Sequence, residues 1–151
     1  MELEKAIIEI EERLRNRLGL VLSEYSPVVF FDKSIYGTQT DGLYYWDKNQ
    51  IGINKKIFEE SGHDYAVRVL AHEYGHSIHD SLLNNCKVRL PQEGRSEYSK
   101  VNNQENFAEA FENFLMDYDD KKYTARNQAV ERIVMKAIFN KLEEGKCICC
   151  I

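Results

Sequence analysis

Apolar positions recur every three to four residues at the start of the chain. Leu3, Ala6, Ile7, Ile10, Leu14 and Leu18 share one side of a helix over residues 2–18, and Gly19 supplies its stop. The period then changes. "PVVFF" (27–31), "LYYW" (43–46) and "IGIN" (51–54) are rich in β-branched and aromatic residues, and "DKNQ" before the last of them reads as the connection of a β-hairpin. Ser61, with Asp64 three residues on, resembles a capping box and opens a helix over about 62–84. Residues 84–101 are polar, hold Pro91 and Gly94, and read as a loop. A third helix is expected over about 103–118. A fourth runs from Thr124 to Glu144, with Ala129, Ile133, Val134, Ala137, Ile138 and Leu142 as its apolar face and Gly145 beyond it. Helix, short sheet, then three helices is an α+β order. No repeat or linker divides the chain, so residues 1–151 are expected to form one domain.

Composition narrows the function classes. Apolar residues make up 43% and charged residues 30%, a globular balance, and the net charge of -5 argues against binding nucleic acid through general basicity. The opening "MELEKAIIEIEERLRNRLG" lacks the basic start, apolar run and cleavage site of a signal peptide. No stretch approaches the roughly 18 apolar residues of a membrane span. The expectation is a cytoplasmic protein with no membrane contact. The four cysteines, Cys86, Cys147, Cys149 and Cys150, do not have the distribution of a disulfide framework. The cluster "KCICCI" reads as reduced thiols on a frayed tail over 145–151.

The chemistry lies in "LAHEYGHSIHD", residues 70–80, where His72, Glu73 and His76 have H-E-x-x-H spacing on the second helix. With His72 at zero and about 100° per residue, Val67, Ala71, Tyr74 and Ile78 cluster between about 200° and 260° and form the core stripe. His76 falls at about 40°, so the two imidazoles share a face one turn apart, pointing away from that stripe. Two such histidines can reach one metal ion from a single helix. Glu73, at about 100°, lies beside the pair, placed to take a proton from an activated water. His79 lies two turns, about 10 Å, from His72, too far to complete the set, and is expected behind the ligands or on the surface. Gly75 lowers helix propensity inside the motif and suggests close approach of another backbone.

Two histidines need a third ligand. "NNQENFAEAFENF", residues 102–114, offers Glu105, Glu109 and Glu112 on the face opposite Phe107, Phe111, Phe114 and Tyr118. A solvated acidic side of an amphipathic helix explains the same pattern, but Ala108 and Ala110 would let a second helix approach closely.

"HEYGH" followed by "EYSKVNNQENFAEAF" resembles the zinc metallopeptidase family of anthrax toxin lethal factor and the Pro-Pro endopeptidases. Its pattern is H-E-x-G-H, then Y-x-x-x-x-x-x-E-x-F-A-E, matched here over about residues 65–118. The resemblance implies a small zincin-like fold and a gluzincin-type endopeptidase acting on a peptide or protein substrate. It further implies one zinc ion on His72, His76 and Glu105, Glu73 as general base, and Tyr98 as donor to the oxyanion. Glu109, one turn after Glu105, would then orient His72 or His76 through the ring nitrogen not on zinc. The strand "QIGIN" is the expected sheet edge for an extended substrate, with Ile51, Gly52 and Ile53 as its binding residues. The family's delivery domains and secretion signals have no counterpart in this chain, so its substrates do not carry over. Two other readings stand beside it: a small metallopeptidase of the kind encoded beside phage repressors, and a non-catalytic zinc-stabilised interaction domain. Glu73 and Tyr98, for which a structural zinc site has no use, favour the enzyme.

Overall fold

A computed structural model describes residues 2–19, 26–92, 96–97, 100–117 and 124–142. Helix α1 (Glu2–Leu18) follows its apolar spacing, burying Leu3, Ala6, Ile10, Leu14 and Leu18. Gly19 ends it at φ +73°, a left-handed position that glycine takes without strain, and its amide reaches the Arg15 carbonyl at 2.8 Å.

Three short strands follow: β1 (Val28–Phe31), β2 (Gly42–Tyr45) and β3 (Gln50–Ile53). The hairpin between β2 and β3 forms as expected, with each strand one residue earlier than the hydrophobic pattern suggests. Trp46–Asn49 make the turn, and Asn49 closes it at φ +48°. Strand order is β1-β3-β2, with β3 parallel to β1 and antiparallel to β2. This corrects the expectation that β3 is an edge. Its backbone is paired on both sides, so Ile51, Gly52 and Ile53 have no open row of amides for an added strand. Ile51 and Ile53 are instead core residues. Gly52 leaves room for a buried carboxylate: a Cβ there would stand 2.3 Å from Asp32 Oδ2. Asp32 accepts hydrogen bonds from the hydroxyls of Ser34 and Tyr45, each at 2.5 Å.

Helix α2 (His63–Ser81) carries the H-E-x-x-H motif. The expected capping box does not open it. Ile57–Ser61 wind a single π turn, and Gly62, at φ +84°, starts α2 without any side-chain cap. Ser61 therefore lies one residue too early to cap the helix. Val67, Ala71, Tyr74 and Ile78 are buried as the wheel predicts, but so are Ala66, Leu70, Gly75, Ser77 and His79. The reason is that α2 is surrounded, by α1, by α3 and by β2 and β3.

Asn102 caps helix α3 (Asn103–Asp117), its Oδ1 accepting the Glu105 amide at 2.8 Å. Phe107, Phe111 and Phe114 are fully buried beneath it. Thr124 caps helix α4 (Ala125–Leu142) through the Asn127 amide at 3.1 Å, and α4 buries Ala129, Val130, Val134, Ala137 and Ile138. One apolar cluster joins α1, β3, α2, α3 and α4. Buried Arg126 ties α4 to the start of α3 by donating to the Asn106 carbonyl at 3.0 Å and to Asn106 Oδ1 at 2.5 Å. Tyr118 and the cysteine tail lie outside the described residues. Among the described residues, no helix is long and apolar enough to cross a membrane.

Candidate metal centre

The site exists because α2 and α3 touch backbone to backbone. A Cβ on Gly75 would stand 2.9 Å from Ala108 Cα and 3.1 Å from the Ala108 carbonyl oxygen. That is the close approach the motif glycine suggests. It brings the first turn of α3 over the exposed side of His72 and His76. His72 Nε2 lies 3.0 Å from Glu105 Oε2, and His76 Nε2 lies 2.9 Å from Glu105 Oε1. The candidate ligand atoms of these three residues all fall within 4.8 Å of one another.

These residues can hold a metal ion. Two imidazole nitrogens and one carboxylate are a common donor set for a divalent ion of intermediate softness. Tetrahedral bonds of 2.0–2.1 Å separate ligand atoms by roughly 3.3 Å, and the contacts of 2.9 and 3.0 Å, made by the two different oxygens of Glu105, are close to that spacing. In the metal-free protein the contact of His72 with Glu105 is a hydrogen bond. Burial pulls the His72 pKa down, but the carboxylates of Glu105 and Glu112 outweigh it and push the value up to about 10.

Glu112, not Glu109, is the carboxylate at the far side of His72. Its Oε1 lies 3.3 Å from His72 Nδ1, and its Oε2 accepts from Arg68 at 3.3 Å, while Arg68 also pairs with Asp117. Glu109, expected to orient an imidazole, instead accepts from the backbone amide of Ser96 at 3.2 Å and from the Ser96 hydroxyl. Helix geometry gives the reason. Measured from Glu105, Glu109 is rotated by about 40° and Glu112 by only about 20° in the other direction, so the residue two turns on is the better aligned. The i+7 position was the available signal.

His76 is held from the sheet. Tyr44 stacks on its ring, with centroids 6.5 Å apart and planes 12° from parallel. The Tyr44 hydroxyl is 2.8 Å from Asp80 Oδ2 and 3.0 Å from Asn49 Oδ1, and Ser77 donates to Asn49 Oδ1 at 2.7 Å. Burial and the Asp80 carboxylate push the Tyr44 pKa up to about 12, so it remains a phenol.

Glu73 is 8% exposed and opens onto a cleft of about 470 Å³, lined also by Thr40, Asp41, Gly42, Tyr65 and Glu109. Burial raises its pKa against the opposing pull of His76 and His72. The carboxylate therefore has a higher proton affinity than an exposed glutamate while facing the cavity beside the candidate ligands. His79 takes no part. It is wholly buried, stacked on Phe107 at 4.8 Å, with Nε2 2.7 Å from the Cys86 carbonyl oxygen. Burial lowers its pKa, which keeps it neutral near pH 7. Tyr98 lies outside the described residues. Compared with known proteins, the chain matches no family model, no curated protein and no solved structure.

Proposed function

We propose that the protein is a zinc-dependent peptidase in which His72, His76 and Glu105 hold the ion and Glu73 is the general base. The observation that carries this reading is the convergence of three donors from two helices, with a buried glutamate beside them opening onto a cleft. A site that served only to staple α2 to α3 would gain nothing from that glutamate. Zinc bound to two neutral imidazoles and one carboxylate supplies a Lewis acid that acidifies water and polarises a carbonyl.

The chain's own residues do the rest. Glu73 accepts the proton of the attacking water on its carboxylate and delivers it to the departing amine nitrogen. Its raised proton affinity suits both halves of that task. Glu112 holds His72 through Nδ1 and so keeps Nε2 directed at the ligand position. The seven-residue spacing from Glu105 supports Tyr98 as the donor whose hydrogen bond strengthens as charge grows on the carbonyl oxygen.

Strand β2 takes over the substrate-binding role expected of β3. It is an edge strand, and its residues Gly42 and Tyr44 adjoin Glu73 and His76. The Asn54 amide bonds to the Asp41 carbonyl at 2.8 Å, and bonded pairs alternate along an antiparallel ladder. The backbone groups of Gly42 and Tyr44 therefore turn away from β3 and, among the described residues, are open to pairing with an extended peptide beside the proposed metal ligands.

Zinc analysis and digestion of a random peptide library test the reading together. The expected result is one zinc per chain and cleavage by the wild type. Glu73→Gln should retain zinc and lose about 10²- to 10⁴-fold in turnover. Zinc-loaded wild type that cleaves no peptide, or a fully active Glu73→Gln, would overturn the proposal.

A further inference from the structure

Strand β2 meets α2 through alternate residues. Gly42 and Tyr44 pair with Ile53 and Ile51, the inward-facing residues of β3, and so face the helix. Tyr44 stacks on His76, while Gly42 lies against Glu73, three residues earlier on α2. A Cβ on Gly42 would stand 3.1 Å from Glu73 Cγ, 3.4 Å from Glu73 Oε1 and 3.2 Å from Val69 Cγ1. The two carbon contacts are closer than the roughly 3.5–4.0 Å of an ordinary contact between non-bonded carbons, whereas the distance to Oε1 is ordinary. Backbone conformation does not require glycine here, because Gly42 is not among the positive-φ residues. Strand propensity disfavours it as well. The tight approach is to two side chains of α2, Glu73 and Val69.

We infer that Gly42 is a positioning residue: its missing side chain leaves the space in which the Glu73 side chain lies and so fixes where the carboxylate meets the cleft. Val69, one turn before Glu73, lies 3.2 Å from the same Cβ position and bounds that space on its other side. To admit a methyl group on Gly42, the Glu73 side chain must give by a few tenths of an ångström, which moves its carboxylate. General-base transfer works over heavy-atom separations of about 2.6–3.2 Å, so that displacement consumes much of the usable range. The catalytic consequence rests on the peptidase reading, whereas the contact itself does not.

Two measurements separate them. In the zinc-loaded protein, Gly42→Ala should keep one zinc per chain and lower kcat about ten- to a hundredfold on a library-selected peptide, with KM changing by less than about threefold. In urea unfolding of the zinc-free protein, Gly42→Ala should lower the midpoint, and that loss should shrink by about half or more in a Glu73→Ala background, which removes Cγ and Oε1. Equal midpoint losses in both backgrounds would overturn the contact, and an unchanged kcat would overturn the positioning role. A zinc-loaded wild type that cleaves nothing would overturn the peptidase reading and the catalytic consequence with it, leaving the unfolding cycle to decide the contact alone.

Discussion

Glu105, Glu109 and Glu112 look interchangeable along α3, yet each carboxylate has different partners. Glu105 meets both imidazoles, Glu112 meets His72 Nδ1 and Arg68, and Glu109 meets Ser96. Their amide substitutions should therefore separate. Competition against a zinc chelator should show Glu105→Gln losing more than about a hundredfold in affinity and Glu112→Gln about ten- to a hundredfold, with Glu109→Gln close to wild type. A larger loss in Glu109→Gln than in Glu112→Gln would contradict the observed partners. His72 adds a pH dependence of definite sign. Its pKa is raised from 6.5 to about 10 without metal, so the proton adds stability that is complete below pH 6.5 and is lost as pH rises through about 10. Zinc bound through His72, as proposed, would displace that same proton. Its apparent affinity should rise with pH by up to about tenfold per unit between about pH 7 and 9. A flat profile in the chelator competition would mean that His72 is neutral in the metal-free protein.

At the scale of elements, the packing of α2 on α3 decides whether the candidate ligands meet. Glycine inside a helix costs about 1 kcal/mol relative to alanine, so Gly75→Ala gains that much in propensity. The added Cβ, however, meets Ala108 backbone at 2.9 Å, where no side chain can rotate away, and overpacking costs about 1–3 kcal/mol. Stability should change little or fall by up to about 2 kcal/mol, but zinc affinity should fall by about tenfold or more, because the ligands sit on opposite sides of the contact. Urea denaturation and zinc titration of the same variant would show whether the metal suffers more than the fold. This contact was legible in advance, since a glycine within a ligand-bearing helix and Ala108 on the next helix both signal close approach. The pairing of His72, His76 and Glu105 was legible too, through H-E-x-x-H spacing and the family pattern. Glu112 was missed because the nearest turn, Glu109, drew the assignment, although i+7 is better aligned than i+4. The order of the strands was not legible at all. Three short apolar runs carry no signal for which is central, and the structure places β3, the expected edge, in the middle. The start of α2 failed for a local reason: Gly62 turns the chain and puts Ser61 out of capping reach.

Over the whole molecule, α2 is the common neighbour, touching α1, α3, β2 and β3. The groups around the candidate site divide between its two sides, with Glu105 and Glu112 approaching from α3, and Gly42 and Tyr44 from the sheet. Three strands of four residues each would be marginal by themselves. Here the hairpin turn is fastened to the end of α2, because Tyr44 and Ser77 both reach Asn49 and Tyr44 also reaches Asp80. Opening the hairpin means breaking those bonds, so strand and helix should open as one cooperative unit. In native-state hydrogen exchange, the amides of Ile51 and Ile53 should report the same opening free energy as those of Leu70 and Tyr74. Tyr44→Phe removes the hydroxyl but keeps the ring on His76. It should speed exchange in the hairpin by about tenfold or more, the worth of a hydrogen bond to a charged group, while α2 keeps its protection. Equal acceleration of both would show that the two elements share one opening even without the hydroxyl.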